Sequence, residues 1–191
     1  MGLFSRYPGI GINHVEVLYN RGERALATRF LELLGCVVEP TTQKNETGST
    51  YIIVHPDRHE DDPVNNVMYL SEVREQQHDL ERILSSRAGQ DAELGTALEA
   101  YKAKARSRPH GIPHFGLRFP TFESVEPVLE RLERNTDREL AGRFSLTVVR
   151  PQDPEALTAD MIQAFVYTDL IASGLFCVGQ LIELQAQRSP A

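Results

Sequence analysis

Two histidines, His14 and His114, occupy the same place in a short phrase that the chain contains twice. The phrase reads I-N-H-V-E-V from Ile12 and I-P-H-F-G-L from Ile112. Imidazole nitrogens are common ligands of zinc and iron in proteins. A repeated strand with a histidine at one fixed place indicates two similar structural units that face each other. The repetition therefore predicts two imidazoles near a shared axis, which is the beginning of a metal site.

A carboxylate near the C-terminus would complete such a site. Glu183 lies between Ile182 and Leu184 in an apolar strand pattern, where burial of an unpaired carboxylate is costly and indicates a cation. With His14 and His114 it forms a set of two histidines and one carboxylate, which suits Fe(II) and leaves coordination positions open. The sequence predicts a divalent metal, with Fe(II) favoured and Zn(II), Mn(II) and Ni(II) as alternatives. A plainer hypothesis is that all three are ordinary polar residues of surface strands.

Tyr167 is a candidate of a different kind, a phenol that could move a proton. It shares one face of a predicted strand with Gln163 and Phe165. That face is either a wall of the site or a packed surface. In the first case Tyr167 would act as an acid or base in catalysis.

Two stretches with the same order of elements position these residues. Alternating apolar residues predict strands at 13–19, 36–39, 49–55 and 66–73 in the first stretch, and at 113–119, 143–149, 161–168 and 175–187 in the second. Each first strand leads into a helix with an apolar stripe. The first helix is expected to begin at Asn20, with Glu23 completing a capping box, and the second to begin after Thr121.

The sequence thus predicts an α+β fold of two tandem βαβββ modules, 1–74 and 110–191. Their strands would form one cup-shaped mixed sheet with the helices outside. The connector between them, 75–109, is rich in Glu, Gln, Ala, Arg and Leu and predicts two helices, at about 75–87 and 91–106. These helices would cover a sheet edge or pack against a second subunit, so a homodimer is one expectation.

Composition narrows the classes of function. The 191 residues include 27 acidic and 20 basic residues, for a net charge of -7, and offer no basic stripe for nucleic acid. No apolar run has the length of a membrane span, and residues 1–8 lack the apolar core of a signal peptide. We therefore expect a cytoplasmic protein without nucleic-acid or membrane partners. Cys36 and Cys177 are expected in strands as small buried hydrophobes.

The chain resembles the vicinal oxygen chelate superfamily, which includes glyoxalase I, bleomycin-resistance proteins and extradiol ring-cleaving dioxygenases. The resemblance rests on the duplicated histidine phrase, on L-L-G ending at Gly35, and on L-I-E-L around Glu183. It covers both modules and leaves out the connector. In that superfamily the metal ligands come from the first and last strands of each module, which implies ligand positions at His14, His114, Glu183 and Tyr69.

Tyr69 departs from the glyoxalase pattern, because glyoxalase I-like enzymes would have a glutamate at its position. Extradiol dioxygenases have no ligand there, and their triad of two histidines and one glutamate matches the other three positions. Yet the extradiol motif that precedes the carboxylate is absent between Thr168 and Glu183. A phenol is a weak ligand, so we expect Tyr69 to take part in catalysis by donating a hydrogen bond to a bound water or substrate.

The resemblance implies a metal-dependent enzyme that acts on a small molecule chelated through two vicinal oxygens, most in keeping with a dioxygenase. A glyoxalase-like lyase or isomerase is an alternative on the same scaffold. A second alternative is a protein without chemistry, which sequesters a drug or another apolar molecule in the cup. Tyr69, Phe165 and Tyr167 would suit that role.

Overall fold

The computed structural model describes residues 12–44, 50–59 and 62–188 and shows a mixed α+β fold. The ends of the two predicted modules, 1–11 and 189–191, lie outside these ranges. The described residues form two mixed sheets, of five and four strands, neither of which closes into a barrel. None of the helices in these ranges has the length and apolarity that a membrane crossing needs.

The elements follow one another in the order that the sequence predicts, except that the second stretch contains one further strand of two residues. The first stretch contains β1 (His14–Tyr19), α1 (Arg24–Leu33), β2 (Val37–Lys44), β3 (Thr50–His55) and β4 (Val67–Glu72). The connector contains α2 (Glu75–Gln90) and α3 (Ala92–Ser107). The second stretch contains β5 (His114–Phe119), α4 (Phe122–Glu133), β6 (Phe144–Val149), β7 (Met161–Thr168), β8 (Ile171–Ala172) and β9 (Gln180–Gln187).

The two sheets share one pattern of strand pairing. The first has the order β2-β3-β4-β1-β8 and the second the order β5-β9-β7-β6. In each sheet the first strand along the chain runs parallel to the last long strand, as β1 does to β4 and β5 to β9, and the other pairs are antiparallel. The short β8 joins the halves, because it pairs with the end of β1 at Leu18 and Tyr19.

One hydrophobic core serves both halves. Val17 of β1, Phe30 of α1, Leu129 of α4 and Val166 of β7 are all buried in the same cluster. The ring of Phe30 lies 5.7 Å from that of Phe144 on the other sheet. Burying an aliphatic or aromatic side chain of this size stabilises a fold by about 1.5–3 kcal/mol. The two halves are therefore held together by apolar packing and do not form separate cores.

The start of α1 differs from the prediction, while that of α4 confirms it. The helix begins at Arg24 and no side chain caps it, because the carboxylate of Glu23 instead accepts two hydrogen bonds of 3.1 Å from Arg143. A long-range ion pair thus replaces the predicted capping box. Thr121 caps α4 as expected, and the hydroxyl of Ser124 completes the box.

The connector helices are anchored to the second half through a buried carboxylate. Both oxygens of Glu81 on α2 accept backbone N–H groups, from Phe176 at 2.6 Å and from Cys177 at 3.0 Å. Gln77 donates to the carbonyl oxygen of Gly174 at 2.9 Å. These bonds fix α2 against the loop that precedes β9.

Helix α3 covers part of one face of the second sheet, at the edge strand β6 and the neighbouring β7. Ala105 of α3 is buried with Phe165 and Tyr167 of β7 in a small apolar cluster. The Arg106 guanidinium lies 4.8 Å above the Tyr167 ring. The backbone carbonyl oxygen of Arg106 accepts a 2.7 Å hydrogen bond from the hydroxyl of Thr147. Helix α3 therefore packs at the β6 edge of the second sheet and shields two aromatic rings from water.

The last predicted strand, 175–187, is shorter in the structure. Its first part forms a 3-10 turn, Phe176–Val178, and β9 begins at Gln180. Cys177 lies in this turn and is half-buried, so its expected place in a strand was wrong, whereas Cys36 is buried just before β2. Burial raises the pKa of the Cys36 thiol to about 12 and that of Cys177 to about 11. Both thiols stay protonated near neutral pH, which makes them poor nucleophiles.

Candidate metal centre

One face of β5 points away from the core and carries His114. Phe115 and Leu117 pack against the core, so strand alternation places His114, Gly116 and Arg118 on the opposite face. Gly116 is paired with Glu183 of β9, and paired residues of neighbouring strands share a face. The sheet therefore brings His114 and Glu183 to one side, as the sequence predicts.

The two side chains are in contact. The Nε2 atom of His114 lies 3.2 Å from the Oε2 atom of Glu183, and the side chains are 29% and 13% exposed. The Nδ1 atom of His114 lies 2.7 Å from the carbonyl oxygen of Ile112. A carbonyl oxygen can only accept a hydrogen bond, so Nδ1 carries the proton, and in a neutral ring Nε2 then presents a lone pair.

This arrangement leaves two acceptors facing each other. The lone pair of His114 Nε2 and the carboxylate of Glu183 repel unless a proton or a metal ion lies between them. An imidazolium would satisfy the contact as a hydrogen bond. A divalent cation would satisfy it equally, with the histidine oriented by its second nitrogen in the manner usual for metal-binding imidazoles.

Gln163 fixes the other carboxylate oxygen and is a site residue that sequence reasoning missed. Its amide donates to Oε1 of Glu183 at 2.7 Å, and its side chain is buried. Gln185 adds a longer contact of 3.5 Å to the same oxygen. Strand alternation places Gln163 on the face of Phe165, but nothing in the pattern indicates which carboxylate it reaches.

His14 lies on the first sheet in a similar bonding state. Its Nδ1 atom is 2.7 Å from the side-chain oxygen of Asn13, so Nδ1 donates and Nε2 remains open as an acceptor. The imidazole is exposed, and its centroid lies 5.1 Å from that of Tyr69. Both predicted histidine ligands thus have Nδ1 engaged and Nε2 available.

The structure does not bring the three predicted ligands into one cluster. In the described ranges, no hydrogen bond, ion pair or ring contact joins His14 to His114 or to Glu183. Nor do any three His, Cys, Asp or Glu side chains within those ranges form a group suited to a metal ion. His114 and Glu183 meet, and participation of His14 stays a prediction.

Tyr69 stands beside His14 on the same face of the first sheet. Its hydroxyl donates to the carbonyl oxygen of Pro63 at 3.2 Å, and its ring makes an edge contact with Tyr51, 5.2 Å between centroids. Burial raises the pKa of its phenol. Its predicted role as a hydrogen-bond donor to a bound water or substrate would require the bond to Pro63 to break, and that role stays a prediction.

The hydroxyl of Tyr167 makes a hydrogen bond within the fold. The phenol donates to the carbonyl oxygen of Val178 at 3.1 Å, and burial raises its pKa. Its side chain is only 6% exposed, beneath α3. The predicted acid or base role would require this bond to break, and it stays a prediction.

A third imidazole lies close to the pair. The ring of His110 makes an edge contact with Phe165 at 5.1 Å, and the ring of His114 makes another at 5.9 Å. His110 is exposed in the loop before β5, where Gly111 takes a positive φ of 82°. The Phe165 ring of the cluster under α3 therefore lies next to both His110 and His114.

Comparisons with protein-family models, with curated proteins and with solved structures find no match to this chain.

Proposed function

We propose that the chain is a cytoplasmic, metal-dependent enzyme of the vicinal oxygen chelate kind, acting on a small molecule that binds through two adjacent oxygens. The observation that carries the proposal is the contact between His114 Nε2 and Glu183 Oε2. His114 donates its other nitrogen's proton to a carbonyl oxygen, so in a neutral ring the lone pair of Nε2 faces the carboxylate at 3.2 Å. A divalent cation between them resolves that repulsion.

The fold proposal is that two tandem βαβββ modules, related by an approximate twofold, form a cup. Its support is the shared strand pairing, with the first strand parallel to the last in each sheet. The equivalent places of His14 and His114 at the starts of β1 and β5 agree with it. Chemistry would take place on the faces that these two histidines share with Tyr69 and Glu183.

The distance between His114 and Glu183 fits a shared metal ion. Ligand atoms about 2.1 Å from one ion, at angles of about 90–109°, lie about 3.0–3.4 Å from each other, and the observed separation is 3.2 Å. His14 would supply the third ligand. Two imidazoles and one carboxylate favour Fe(II), with Zn(II), Mn(II) or Ni(II) as alternatives. Such a cation polarises bound oxygens and, if it is iron, activates O2.

The surrounding residues would support this site in distinct ways. Gln163 holds one oxygen of Glu183 and leaves the other for the cation. The carbonyl oxygen of Ile112 fixes the tautomer of His114. Phe165, at 2% exposure, keeps water from the side of the site that faces α3. Tyr69 would donate a hydrogen bond to a bound oxygen.

Two observations favour a dioxygenase-like enzyme over the alternatives. Tyr69 stands where a glyoxalase-like lyase or isomerase would place a fourth, carboxylate ligand, and burial keeps its phenol protonated. The drug-sequestering alternative needs accessible aromatic rings. Of the three rings expected to supply them, Phe165 and Tyr167 are covered by α3, and Tyr69 alone stays partly exposed.

Replacing His114 with alanine is expected to remove the metal. Protein purified without chelator should carry a stoichiometric divalent cation, and His114→Ala should carry at least about 10-fold less, because it loses a direct ligand. His110→Ala is the matched control, since His110 contacts the same Phe165 ring. Elemental analysis by mass spectrometry measures all three. A His114→Ala protein that keeps its metal would contradict the proposal.

We also propose that the enzyme is a homodimer formed through the outward face of α2. Leu80 and Ile83 are 46% and 50% exposed there. Asp79 and Arg87 lie four residues to either side of Ile83, so a twofold axis at Ile83 would pair each Asp79 with the Arg87 of the second copy. Sedimentation should show a dimer that becomes a monomer in Ile83→Lys. A wild-type monomer at micromolar concentration would refute it.

A further inference from the structure

Arg118 is a cation on the site face without a partner among the described residues. It follows His114 and Gly116 on the outward face of β5 and is exposed. No acidic side chain in the described ranges forms an ion pair with it. Glu16, the carboxylate at the equivalent strand face of the other sheet, instead accepts a 2.7 Å hydrogen bond from Ser71.

Gly116 places no side chain between His114 and Arg118 on the outward face of β5. A Cβ atom built at Gly116 would lie 3.8 Å from the Oε2 atom of Glu183, which is ordinary contact. Its backbone has no positive φ that would require glycine. Any larger side chain there would therefore project over the carboxylate and fill the space beside it. The glycine therefore leaves the Glu183 carboxylate uncovered by any side chain from its paired position on β5.

The outward face of β5 has two chemically different ends. At one end the His114 imidazole and the Glu183 carboxylate are placed for a cation. At the other end is the guanidinium of Arg118, which is four residues from His114 and two residues from Gly116, the residue paired with Glu183. Two residues of a β-strand span about 7 Å, and guanidinium binds planar oxyanions through paired hydrogen bonds.

We propose that Arg118 binds an anionic group, a carboxylate or a phosphonate, of the substrate whose vicinal oxygens bind at His114 and Glu183. This inference rests on the proposed function. It assigns the substrate to a class, small molecules with a chelating pair of oxygens at one end and an oxyanion about 5–7 Å away. Arg118 touches substrate in this assignment and sets specificity without taking part in the chemistry.

The test compares four probes by calorimetry on the metal-loaded protein under anaerobic conditions. Catechol has only the chelating oxygens, benzoate and phenylphosphonate have only an oxyanion, and 3,4-dihydroxybenzoate has both. Wild type should bind 3,4-dihydroxybenzoate about 10- to 100-fold more tightly than catechol, the size of a charge-assisted hydrogen-bonded pair. Comparing the affinities for benzoate and phenylphosphonate identifies the preferred oxyanion.

Variants of Arg118 then locate the effect. Arg118→Gln should remove the preference for 3,4-dihydroxybenzoate and leave catechol binding unchanged. Arg118→Lys should restore part of it, because it keeps the charge and loses the paired geometry. Arg138→Gln is the matched control, since it removes the same charge from an exposed turn after α4.

The outcomes separate this inference from the proposed function. Catechol binding with no preference for the carboxylate, or with a preference that survives Arg118→Gln, overturns the role of Arg118 and leaves the metal site standing. Binding of benzoate that depends on Arg118, without binding of catechol, supports Arg118 and counts against the chelating site. Failure of all four probes to bind rejects both.

Discussion

Replacing Glu183 with glutamine is expected to lower the affinity for a divalent cation by more than about 100-fold. The substitution keeps the shape of the side chain and removes the negative charge that neutralises the cation. It leaves one or two neutral imidazoles, which bind metal weakly. Gln163→Leu is the matched comparison, because Gln163 contacts the carboxylate and not the cation. Its effect should stay within the roughly 10–100-fold range that is typical of such supporting residues.

Thermal unfolding with added Fe(II) or Zn(II) distinguishes a metal-dependent enzyme from a binding protein without metal. A ligand that binds only the folded state stabilises it, by about 2.7 kcal/mol at 100 times its Kd, so metal should raise the Tm of wild type and not that of Glu183→Gln. In a binding protein without metal, the same change relieves a partly buried carboxylate and leaves or raises Tm. A mutant as stable as wild type, with no shift from metal in either protein, would favour the binding protein.

Gly179→Ala is expected to destabilise the fold by about 3–5 kcal/mol. Gly179 has φ 73° and ψ 176°, a region that only glycine populates without strain. A Cβ atom there would collide with the hydroxyl and the ring of Tyr167. That ring is packed beneath α3, so relieving the collision would displace a buried side chain and break the Tyr167–Val178 hydrogen bond.

Two other glycines separate strain from collision. Gly142 has a positive φ of 76° with open space around it, and Gly174 has open space and no positive φ. Alanine should lower the free energy of unfolding by about 1 kcal/mol at Gly142. At Gly174 it should change that free energy by less than about 0.5 kcal/mol. Urea unfolding measures all three variants through their midpoints. Equal midpoints for Gly179→Ala and Gly142→Ala would show that Tyr167 is not fixed as described.

Much of the strand architecture could be predicted because alternation is a local signal. The predicted strand 161–168 coincides with β7, and 113–119 differs from β5 by one residue. In both, apolar residues of one face enter the core, which sets the period of two. The contact between His114 and Glu183 follows from the same logic, since both lie on the opposite face of paired strands.

Long-range partners could not be predicted in this way. The amphipathic stripe of α3 indicates that one side is buried, but not that it lies on Phe165 and Tyr167. Asn20 and Glu23 have the spacing of a capping box, yet Arg143, 120 residues away, takes the carboxylate. The ion pair between Glu23 and Arg143 forms in place of the local capping box because it also joins the two halves of the fold.

The most direct test of the metal centre is diffraction at the absorption edge of a bound cation. Crystals grown with Zn(II) or Fe(II) should show an anomalous peak about 2.0–2.2 Å from both His114 Nε2 and Glu183 Oε2, with His14 as the expected third ligand. The contrary result is a fully occupied metal at another place, with no peak between His114 and Glu183 and the two side chains still in direct contact at 3.2 Å. It would show that a proton joins them and would contradict the proposed enzyme.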